Sequence, residues 1–241
     1  MTENISKKDP LKIQNSISFV LPMYNEREAI EDTIEEMEAI AEALTSDYEI
    51  IISDDGSTDG SGEIADNLAK RDSRIKVIHL KENTMFGGAL SAGLKETNKD
   101  IIIYTDSDLP VSLLDMKKSL LLLEDADIVT ASSIVKKGEN LKRKIVSLVY
   151  NFLIETLFRT HIKDINSGYK IFKKHVIEGI ELKSKSPFVD VEIFVNAMRK
   201  GAKIKEYPLI FRTRRQGKSK ISRIPVIIQT FIDMLRFKFG I

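Results

Sequence analysis

Two carboxylates stand one residue apart in Asp106-Ser107-Asp108, directly after the apolar run 101–105. At the carboxyl end of a buried parallel strand, such a pair faces the edge where open α/β sheets bind ligands. Carboxylate oxygens suit Mg²⁺ or Mn²⁺, and these ions bridge carboxylate and phosphate oxygens. The triplet therefore favours a cation held against a diphosphate, although alone it also fits an ordinary solvated turn.

A second segment with chemical potential follows the apolar run 17–21. Pro22 is predicted to end that strand. The ring of Tyr24 can stack on a base or a ribose, and the carboxylate of Glu26 can accept hydrogen bonds from either. The alternative is a helix start that is capped by Asn25, with Glu26 favoured by the helix dipole.

Two further turns follow predicted strands. Asp54 and Asp55 open a glycine-containing turn; one of them is expected to contact the nucleobase side of a nucleotide, and the other to hold the turn. Gly87 and Gly88 are predicted at a helix N-terminus, where exposed N–H groups allow a ligand to approach closely. Neither turn matches a Walker loop or the dinucleotide fingerprint, which argues against P-loop hydrolysis and hydride transfer.

The elements that must position these residues alternate along the first 131 residues. Apolar runs predict strands at 17–21, 48–53, 75–80, 101–105 and 127–131, and amphipathic segments predict helices at 26–44, 61–70, 88–97 and 113–123. This alternation predicts an α/β fold, with a mostly parallel central sheet covered by helices on both faces.

The later part of the chain has a different pattern and charge. Helices are predicted at 141–159, 188–199 and 224–239, a strand at 203–207, a polar loop at 164–170 and a basic loop at 212–220. Residues 1–127 hold 13 Lys and Arg against 27 Asp and Glu, whereas residues 128–241 hold 24 against 9. The basic half is expected to meet anions, or merely to attract the acidic half.

Taken in order, Pro-x-Tyr-Asn-Glu, Asp-Asp-Gly-Ser-x-Asp-Gly, the glycine turn and Asp-x-Asp resemble the motifs of family 2 glycosyltransferases with the GT-A (Rossmann-like) fold. The resemblance covers about residues 16 to 221. Residues 164–170 and 214–220 are similar to two later motifs of the polyprenyl-phosphate sugar transferases. That group contains the dolichol-phosphate mannose synthases and the dolichyl-phosphate glucosyltransferases.

The resemblance implies inverting, Mg²⁺- or Mn²⁺-dependent transfer of a hexose from a nucleotide-diphosphate sugar, of the GDP-mannose or UDP-glucose type, to a polyprenyl (dolichyl) phosphate. Asp106 and Asp108 would hold the metal. Arg214 and Lys220 would close over the diphosphate on a mobile loop. The residues implied at the nucleotide sugar are Pro22, Tyr24, Glu26, Asp54, Asp55, Gly87, Asp106, Ser107, Arg214 and Lys220.

On the acceptor side, the expectation centres on Arg143, which would grip the acceptor phosphate; a solvated helix start is the alternative. Asp164 would act as a base for a hydroxyl acceptor or orient the acceptor, and a structural role in its turn is equally open. Pro110 stands where mannose synthases commonly place a metal-binding Gln. Asp190 and Glu192 would line the acceptor or sugar side, or be buried for structural reasons.

Three parts are expected along the chain: a flexible leader at 1–14, a GT-A glycosyltransferase domain at 15–222 and a C-terminal amphipathic helix at 223–241. The chain has no cysteine, and no run reaches the about 18 to 20 apolar residues that span a bilayer. A cytoplasmic, peripheral membrane location is expected, with the last helix packed on the membrane, the core or a second subunit of a homo-oligomer.

Two other functions stay open from the sequence: a transferase with a saccharide or other hydroxyl acceptor, and a nucleotide-sugar binding module without catalysis. Intact Asp106, Asp108 and Arg214 argue against the second. The basic half contains no nucleic-acid recognition motif, so no nucleic-acid partner is expected.

Overall fold

The computed structural model describes residues 12–134, 141–212 and 224–240, and for 141–147 the helix alone without side chains. Seven strands and eight helices are described in these ranges. The strands are β1 (Ile17–Met23), β2 (Tyr48–Asp54), β3 (Ile75–His79), β4 (Ile101–Thr105), β5 (Ile128–Ser133), β6 (Tyr169–Lys173) and β7 (Ile204–Leu209). The helices are α1 (Ile30–Leu44), α2 (Ser61–Arg71), α3 (Met85–Lys95), α4 (Leu113–Leu121), α5 (Leu141–Phe158), α6 (Lys174–Ile177), α7 (Val189–Arg199) and α8 (Ile224–Phe239).

The strands form one sheet in the order β3-β2-β1-β4-β6-β5-β7. Six strands run parallel and β6 is reversed, because it pairs antiparallel with both β4 and β5. The prediction of a mostly parallel sheet with a C-terminal helix is confirmed. The reversed strand was not predicted, because its polar residues at 169–170 were assigned to a loop.

Side chains alternate between the two faces of the sheet, and each face has its own apolar core. In β1, Phe19 and Leu21 pack with α1, α2 and α4 on one face, while Val20 packs with α3, α7 and α8 on the other. The strands are buried on both faces and are therefore almost continuously apolar, as in other helix-covered parallel sheets.

Pro22 was predicted to end β1, but the strand continues through it to Met23. Pro22 pairs with Ser53 of β2, but the pairing of β1 with β4 stops at Val20. A proline lacks an N–H group, and it is tolerated here because no β4 partner is aligned with it. Ile13, within the expected leader, donates its N–H to Leu44 O at 2.8 Å.

The C-terminal helix α8 lies against the body of the domain through one side only. Met234 and Asp233 are buried there, and the ring of Phe237 lies 5.7 Å from the rings of Phe158 and Phe188. Its other side keeps large apolar side chains exposed, including Ile228 and Leu235. None of the helices in the described ranges is long and apolar enough to cross a bilayer.

Candidate active site

The loops that follow β1 and β2 are joined by hydrogen bonds at the carboxyl edge of the sheet, the edge where β1, β2 and β4 end. Asn25 N donates to Ser57 Oγ at 2.9 Å, and Thr58 N donates to Asn25 Oδ1 at 2.8 Å. Glu26 N donates to Ser61 Oγ at 2.9 Å. Tyr24 and Glu26, both half-buried, are thus carried on a backbone that the second loop holds in place.

Asp54 is buried at the end of β2 and holds its own turn. Its Oδ1 accepts from Ser57 N at 3.0 Å, and its Oδ2 lies 2.9 Å from His79 Nδ1. The other ring nitrogen of His79 lies 3.0 Å from Asp66 Oδ1. Hydrogen bonds that His79 donates to Asp66, and then to Asp54, raise the pKa of His79 because they stabilise its charged form.

Asp55 connects the second loop to the start of α3. Its Oδ1 accepts from Thr84 N at 2.6 Å and from Thr84 Oγ1 at 2.8 Å. Burial raises the pKa of Asp55, and the hydrogen bonds with Thr84 oppose that shift. Both aspartates therefore hold turns, where the sequence predicted that one would.

Gly87 lies in the first turn of α3. Its N–H was predicted to be exposed to a ligand, but it is bonded within the protein. It donates to Lys185 O at 2.7 Å. A Cβ at Gly87 would lie 2.6 Å or less from the carbonyl oxygens of Ser184 and Ser186. The position requires glycine because a neighbouring backbone packs directly against it, which the sequence pattern could not reveal.

That neighbouring backbone, the 183–186 segment, is held by two buried carboxylates. Glu192 accepts from Lys183 N and Ser184 N, at 3.0 and 2.9 Å. Asp233 of α8 accepts from Lys185 N and Ser186 N, at 3.1 and 2.9 Å. Four consecutive N–H groups are satisfied in this way, so Glu192 has the structural role that the sequence left open.

Asp106 directly follows β4 and is held by groups on three sides. Its Oδ1 accepts from Tyr104 Oη at 2.9 Å, and its N–H donates to Gly168 O at 3.1 Å. A Cβ on Gly168 would overlap the Asp106 carboxylate. The expected 164–170 motif thus reaches Asp106 because β6 is reversed, which brings its first residue opposite Thr105 at the end of β4.

Behind Asp106 lies a fully buried ion pair between Lys170 and Asp190. The two charged groups are 3.1 Å apart, and Lys170 Nζ also donates to Ser167 O at 2.5 Å. Burial raises the pKa of Asp190 to about 6, opposed by Lys170 and reinforced by Asp106 and Asp164. Lys170 is therefore a cation inside a group of carboxylates. This role was not predicted from the sequence, because it depends on Asp190, which lies 20 residues further along the chain.

The backbone at this edge has an uncommon conformation after three of the strands. Among non-glycine residues in the described ranges, positive φ occurs at Asn25, Met85, Leu109 and Arg159. Asn25 and Leu109 lie in the loops that follow β1 and β4, and Met85, after β3, is the first residue of α3. Such residues cost about 1–3 kcal/mol each and cluster at ligand-binding sites.

The remaining predicted residues divide into those the structure describes and those it does not. Ser107 is buried, and its carbonyl oxygen accepts from Thr33 Oγ1 at 2.8 Å. Asp108 is half-buried beside it. Arg143 falls on α5, but its side chain lies outside the described residues, as do Arg214 and Lys220. Arg212 N donates to Pro110 O at 2.9 Å, next to the Asp106–Asp108 loop.

The donor atoms at this edge suit a hard divalent cation that is shared with a ligand. Asp106 and Asp108 offer only oxygen, the ligand type that Mg²⁺ and Mn²⁺ prefer. Within the described part of the chain, no three His, Cys, Asp or Glu side chains are grouped as a metal site made of protein alone would need. The residues fit a cation whose other ligands come from a bound diphosphate.

With this site at the carboxyl edge of a GT-A sheet, the chain belongs to glycosyl transferase family 2, whose family model matches residues 18–180. It is a glycosyltransferase. Over 229 residues it is 28% identical to the glycosyltransferase AglD of Haloferax volcanii, covering 91% of this chain and 36% of that protein. Over 214 residues it is 28% identical to an undecaprenyl-phosphate mannosyltransferase of Micrococcus luteus, covering 84% and 86%.

The fold also matches a solved structure, the glucosyl-3-phosphoglycerate synthase of Mycobacterium tuberculosis in complex with Mn²⁺, UDP-glucose and phosphoglyceric acid. The TM-score is 0.71 at 20% identity, over 93% of this chain and 80% of that one. This likeness establishes the GT-A architecture. The chain spans about a third of the length of AglD, 36%, but most of the mannosyltransferase, 86%.

Proposed function

We propose that this glycosyltransferase transfers a hexose, with inversion, from a nucleotide-diphosphate sugar to a polyprenyl or dolichyl phosphate. One observation carries the proposal: Asp106 and Asp108 follow β4 at the same carboxyl edge of the sheet as the Asp54–Asp55 turn, and Asp106 contacts Gly168 of the 164–168 loop. The name of the Micrococcus luteus relative supports a polyprenyl-phosphate acceptor. A GDP-mannose or UDP-glucose type of donor fits the same edge.

On the donor side, the loops after β1 and β2 would form the nucleoside pocket. Tyr24 would stack on the base or the ribose, next to Pro22, and Glu26 would accept hydrogen bonds. Asp54 and Asp55 would keep the turn rigid, and one of the two carboxylates would also contact the nucleobase side of the nucleotide. Gly87 would contribute through the shape of the α3 start rather than through its N–H, which is already bonded.

At the diphosphate, Asp106 and Asp108 would hold Mg²⁺ or Mn²⁺, and Ser107 would fix the loop between them. When bound, the cation supplies positive charge against the leaving nucleoside diphosphate. Arg214 and Lys220 would add two cationic groups as their loop closes and excludes water. The metal complex in the Mycobacterium tuberculosis structure supports a divalent cation in this fold.

On the acceptor side, a phosphate monoester is already ionised at neutral pH and needs positioning rather than a strong base. Arg143 would grip the acceptor phosphate from α5. Asp164, which acts electrostatically on Asp190, would orient the acceptor. Direct attack of the phosphate oxygen on the anomeric carbon, with departure of the nucleoside diphosphate from the opposite side, inverts the configuration.

A lipid-linked acceptor requires contact with a membrane, and α5 and α8 offer an apolar surface for it. Phe152 of α5 is 68% exposed, and Ile228 and Phe239 of α8 are 55% and 69% exposed. Arg236 and Lys238 are exposed on the same helix. Apolar side chains flanked by cations are typical of helices that lie in the interface of anionic membranes. We propose peripheral binding at the cytoplasmic face.

The membrane contact can be tested with vesicles that contain anionic lipid. Phe152→Ser together with Ile228→Ser should reduce vesicle binding at least about tenfold, because two apolar side chains no longer insert. A matched control is Leu114→Ser with Leu121→Ser, which are 60% and 62% exposed on α4, across the sheet. Equal losses for the two double variants would contradict the assignment of the surface.

The function itself is tested in two stages. A thermal-shift screen of GDP- and UDP-sugars with Mn²⁺ identifies the donor, and transfer is then measured to undecaprenyl phosphate in detergent. Asp108→Ala should lower the rate more than about 100-fold, since direct loss of a ligand exceeds the effect of an outer contact. Asp125→Asn, an exposed acid away from the site, should leave it unchanged.

Three outcomes would overturn the proposal. Full activity of Asp108→Ala would remove the metal assignment. Transfer to a soluble saccharide, with none to undecaprenyl phosphate, would establish the hydroxyl-acceptor function instead. Donor binding without transfer to any acceptor would identify a binding module.

A further inference from the structure

Tyr104 is a fully buried tyrosine whose hydroxyl is hydrogen-bonded to Asp106, a predicted metal ligand. It is 1% exposed, and its hydroxyl donates to Asp106 Oδ1 at 2.9 Å. The residue lies two positions before Asp106 on β4, on the face of the sheet that α3 and α7 cover. A buried hydroxyl is costly to place in an apolar core unless it is hydrogen-bonded. Here its acceptor is the Asp106 carboxylate.

Groups behind Tyr104 hold its ring in one place. Tyr104 is paired across the strands with Lys170 of β6, and Lys170 Nζ lies 5.1 Å from the centre of the tyrosine ring. The ammonium is itself fixed by Asp190 at 3.1 Å and by Ser167 O at 2.5 Å. Phe86 packs on Tyr104 as well, with 5.9 Å between the ring centroids. The contacts with Lys170 and Phe86 therefore hold the tyrosine ring so that its hydroxyl points to Asp106.

The opposite side of the same carboxylate is confined by Gly168. A Cβ built on that residue would overlap Asp106 Oδ2 and lie 2.7 Å from Cγ. Gly168 does not have a positive φ, so its backbone conformation would permit alanine. The three atoms nearest to that Cβ all belong to the Asp106 carboxylate. The carboxylate is thus held between a hydrogen-bond donor at one oxygen and a backbone at the other.

We propose that Tyr104 is a positioning residue for the sugar-transfer site, and that its hydroxyl, braced by the buried Lys170–Asp190 pair and opposed by Gly168, fixes Asp106 in the orientation that binds the divalent cation. The inference rests on the proposed function, because it assigns Tyr104 a task toward that site's cation. Residues that orient a metal-binding carboxylate without touching the metal typically contribute about 10- to 100-fold in metal affinity.

The test is Mn²⁺ binding to the full chain, measured from the electron paramagnetic resonance signal of free Mn²⁺, alone and with UDP or GDP. Tyr104→Phe should raise the apparent Kd for Mn²⁺ about tenfold. The matched control is Tyr169→Phe. Tyr169 is equally buried on β6, faces the other side of the sheet, and shares a hydrogen bond of 2.8 Å with Ser119. This control should keep the wild-type Kd.

A second variant approaches Asp106 from its other side. Gly168→Ala should also raise the Kd for Mn²⁺, because the new methyl group displaces the carboxylate without touching Tyr104. It decides the question if Tyr104→Phe fails to fold. Melting temperatures separate positioning from general damage: Tyr104→Phe should be destabilised no more than Tyr169→Phe, since each loses one buried hydroxyl.

The outcomes separate this inference from the function on which it rests. Wild-type Mn²⁺ affinity in Tyr104→Phe would overturn the positioning role, even if sugar transfer is demonstrated. If that variant fails to fold, wild-type affinity in Gly168→Ala would overturn it. Absence of Mn²⁺ binding by the wild-type chain under all three conditions would overturn both the inference and the metal assignment. Mn²⁺ binding that responds to Tyr104→Phe, without transfer to any acceptor, would support the inference and reject the proposed transfer.

Discussion

The substitution Asp233→Ala tests how α8 is fastened to the catalytic domain. Asp233 Oδ2 accepts from the consecutive N–H groups of Lys185 and Ser186, at 3.1 and 2.9 Å, and Oδ1 accepts from Gln229 at 2.7 Å. The carboxylate is 4% exposed, so little water is available to replace it. Removing it leaves two backbone donors without an acceptor at the contact between α8 and the 183–186 segment.

The expected loss can be worked out from these contacts. A buried donor left unsatisfied costs about 1–3 kcal/mol, so two give about 2–6 kcal/mol, and about 4 kcal/mol is the central value. For a chain of this size each kcal/mol corresponds to about 2–4 °C in melting temperature. Asp233→Ala should therefore melt about 8–16 °C below the wild type. Asp233→Asn keeps an acceptor oxygen and should lose less than half as much.

Urea denaturation measures the free energies of unfolding, and amide hydrogen exchange locates the effect. In Asp233→Ala, amide exchange should accelerate at Lys185 and Ser186. The N–H groups of Lys183 and Ser184 donate to Glu192 and should keep more of their protection. Glu192→Ala is the mirror control with the opposite pattern, because it removes the acceptor of Lys183 N and Ser184 N instead. A loss below about 1 kcal/mol, the net value of one ordinary hydrogen bond, or equal losses for Asp233→Ala and Asp233→Asn would refute the reasoning.

Three further predictions concern an ion-paired histidine, a buried ion pair and a tightly packed glycine. The pKa of His79 is raised by Asp66 and Asp54, so its stabilising contribution should be complete below pH ~6.5 and disappear as pH rises through the folded-state pKa. The difference in unfolding free energy between the wild type and His79→Gln, measured by urea denaturation, should shrink over that range. A constant difference would contradict the ion-pair explanation. Lys170→Met should cost about 3–5 kcal/mol, because Asp190 keeps a buried carboxyl without its cation, and Lys170→Met/Asp190→Leu should recover part of the loss; no recovery in chemical denaturation would show that the pair is not the source. Gly87→Ala should cost about 1–3 kcal/mol by overpacking against the 184–186 carbonyls, and an unchanged melting temperature would mean that this backbone moves freely.

Most of the fold follows from hydrophobic patterning, because each element of the first half is buried in a regular way. The runs 48–53 and 101–105 are apolar enough to be interior strands, and both are fully buried. β6 escaped prediction because its first two residues, Tyr169 and Lys170, have polar groups. Their partners, Ser119 and Asp190, lie far away in the sequence, so no local pattern indicates that a lysine there is buried.

The candidate site was predictable where the chemistry lies in the residue type, and less so where it lies in the packing. Asp106 and Asp108 could be proposed as cation ligands because a carboxylate pair after an apolar strand suits a divalent cation by residue type alone. The prediction that the Gly87 N–H is open to a ligand was wrong. That N–H donates to Lys185 O, which lies about 100 residues later in the chain and gives no local signal. Tyr104 and Lys170 were missed for the same reason: each gains its role only from the strand beside it.

The reversed direction of β6 explains how one edge of the sheet collects all these groups. In a parallel sheet, ligand-binding loops follow strands, and the residues that precede a strand lie at the opposite edge. Because β6 runs antiparallel to β4, its preceding residues meet the residues that follow β4, and Gly168 O reaches Asp106 N at 3.1 Å. The same pairing sets Lys170 opposite Tyr104. A parallel strand at this place would carry the 164–168 loop to the far edge of the sheet, more than about 15 Å away over five residues of strand. Asp106 would then lack the contact with Gly168. Tyr104 would lack the Lys170–Asp190 pair behind its ring.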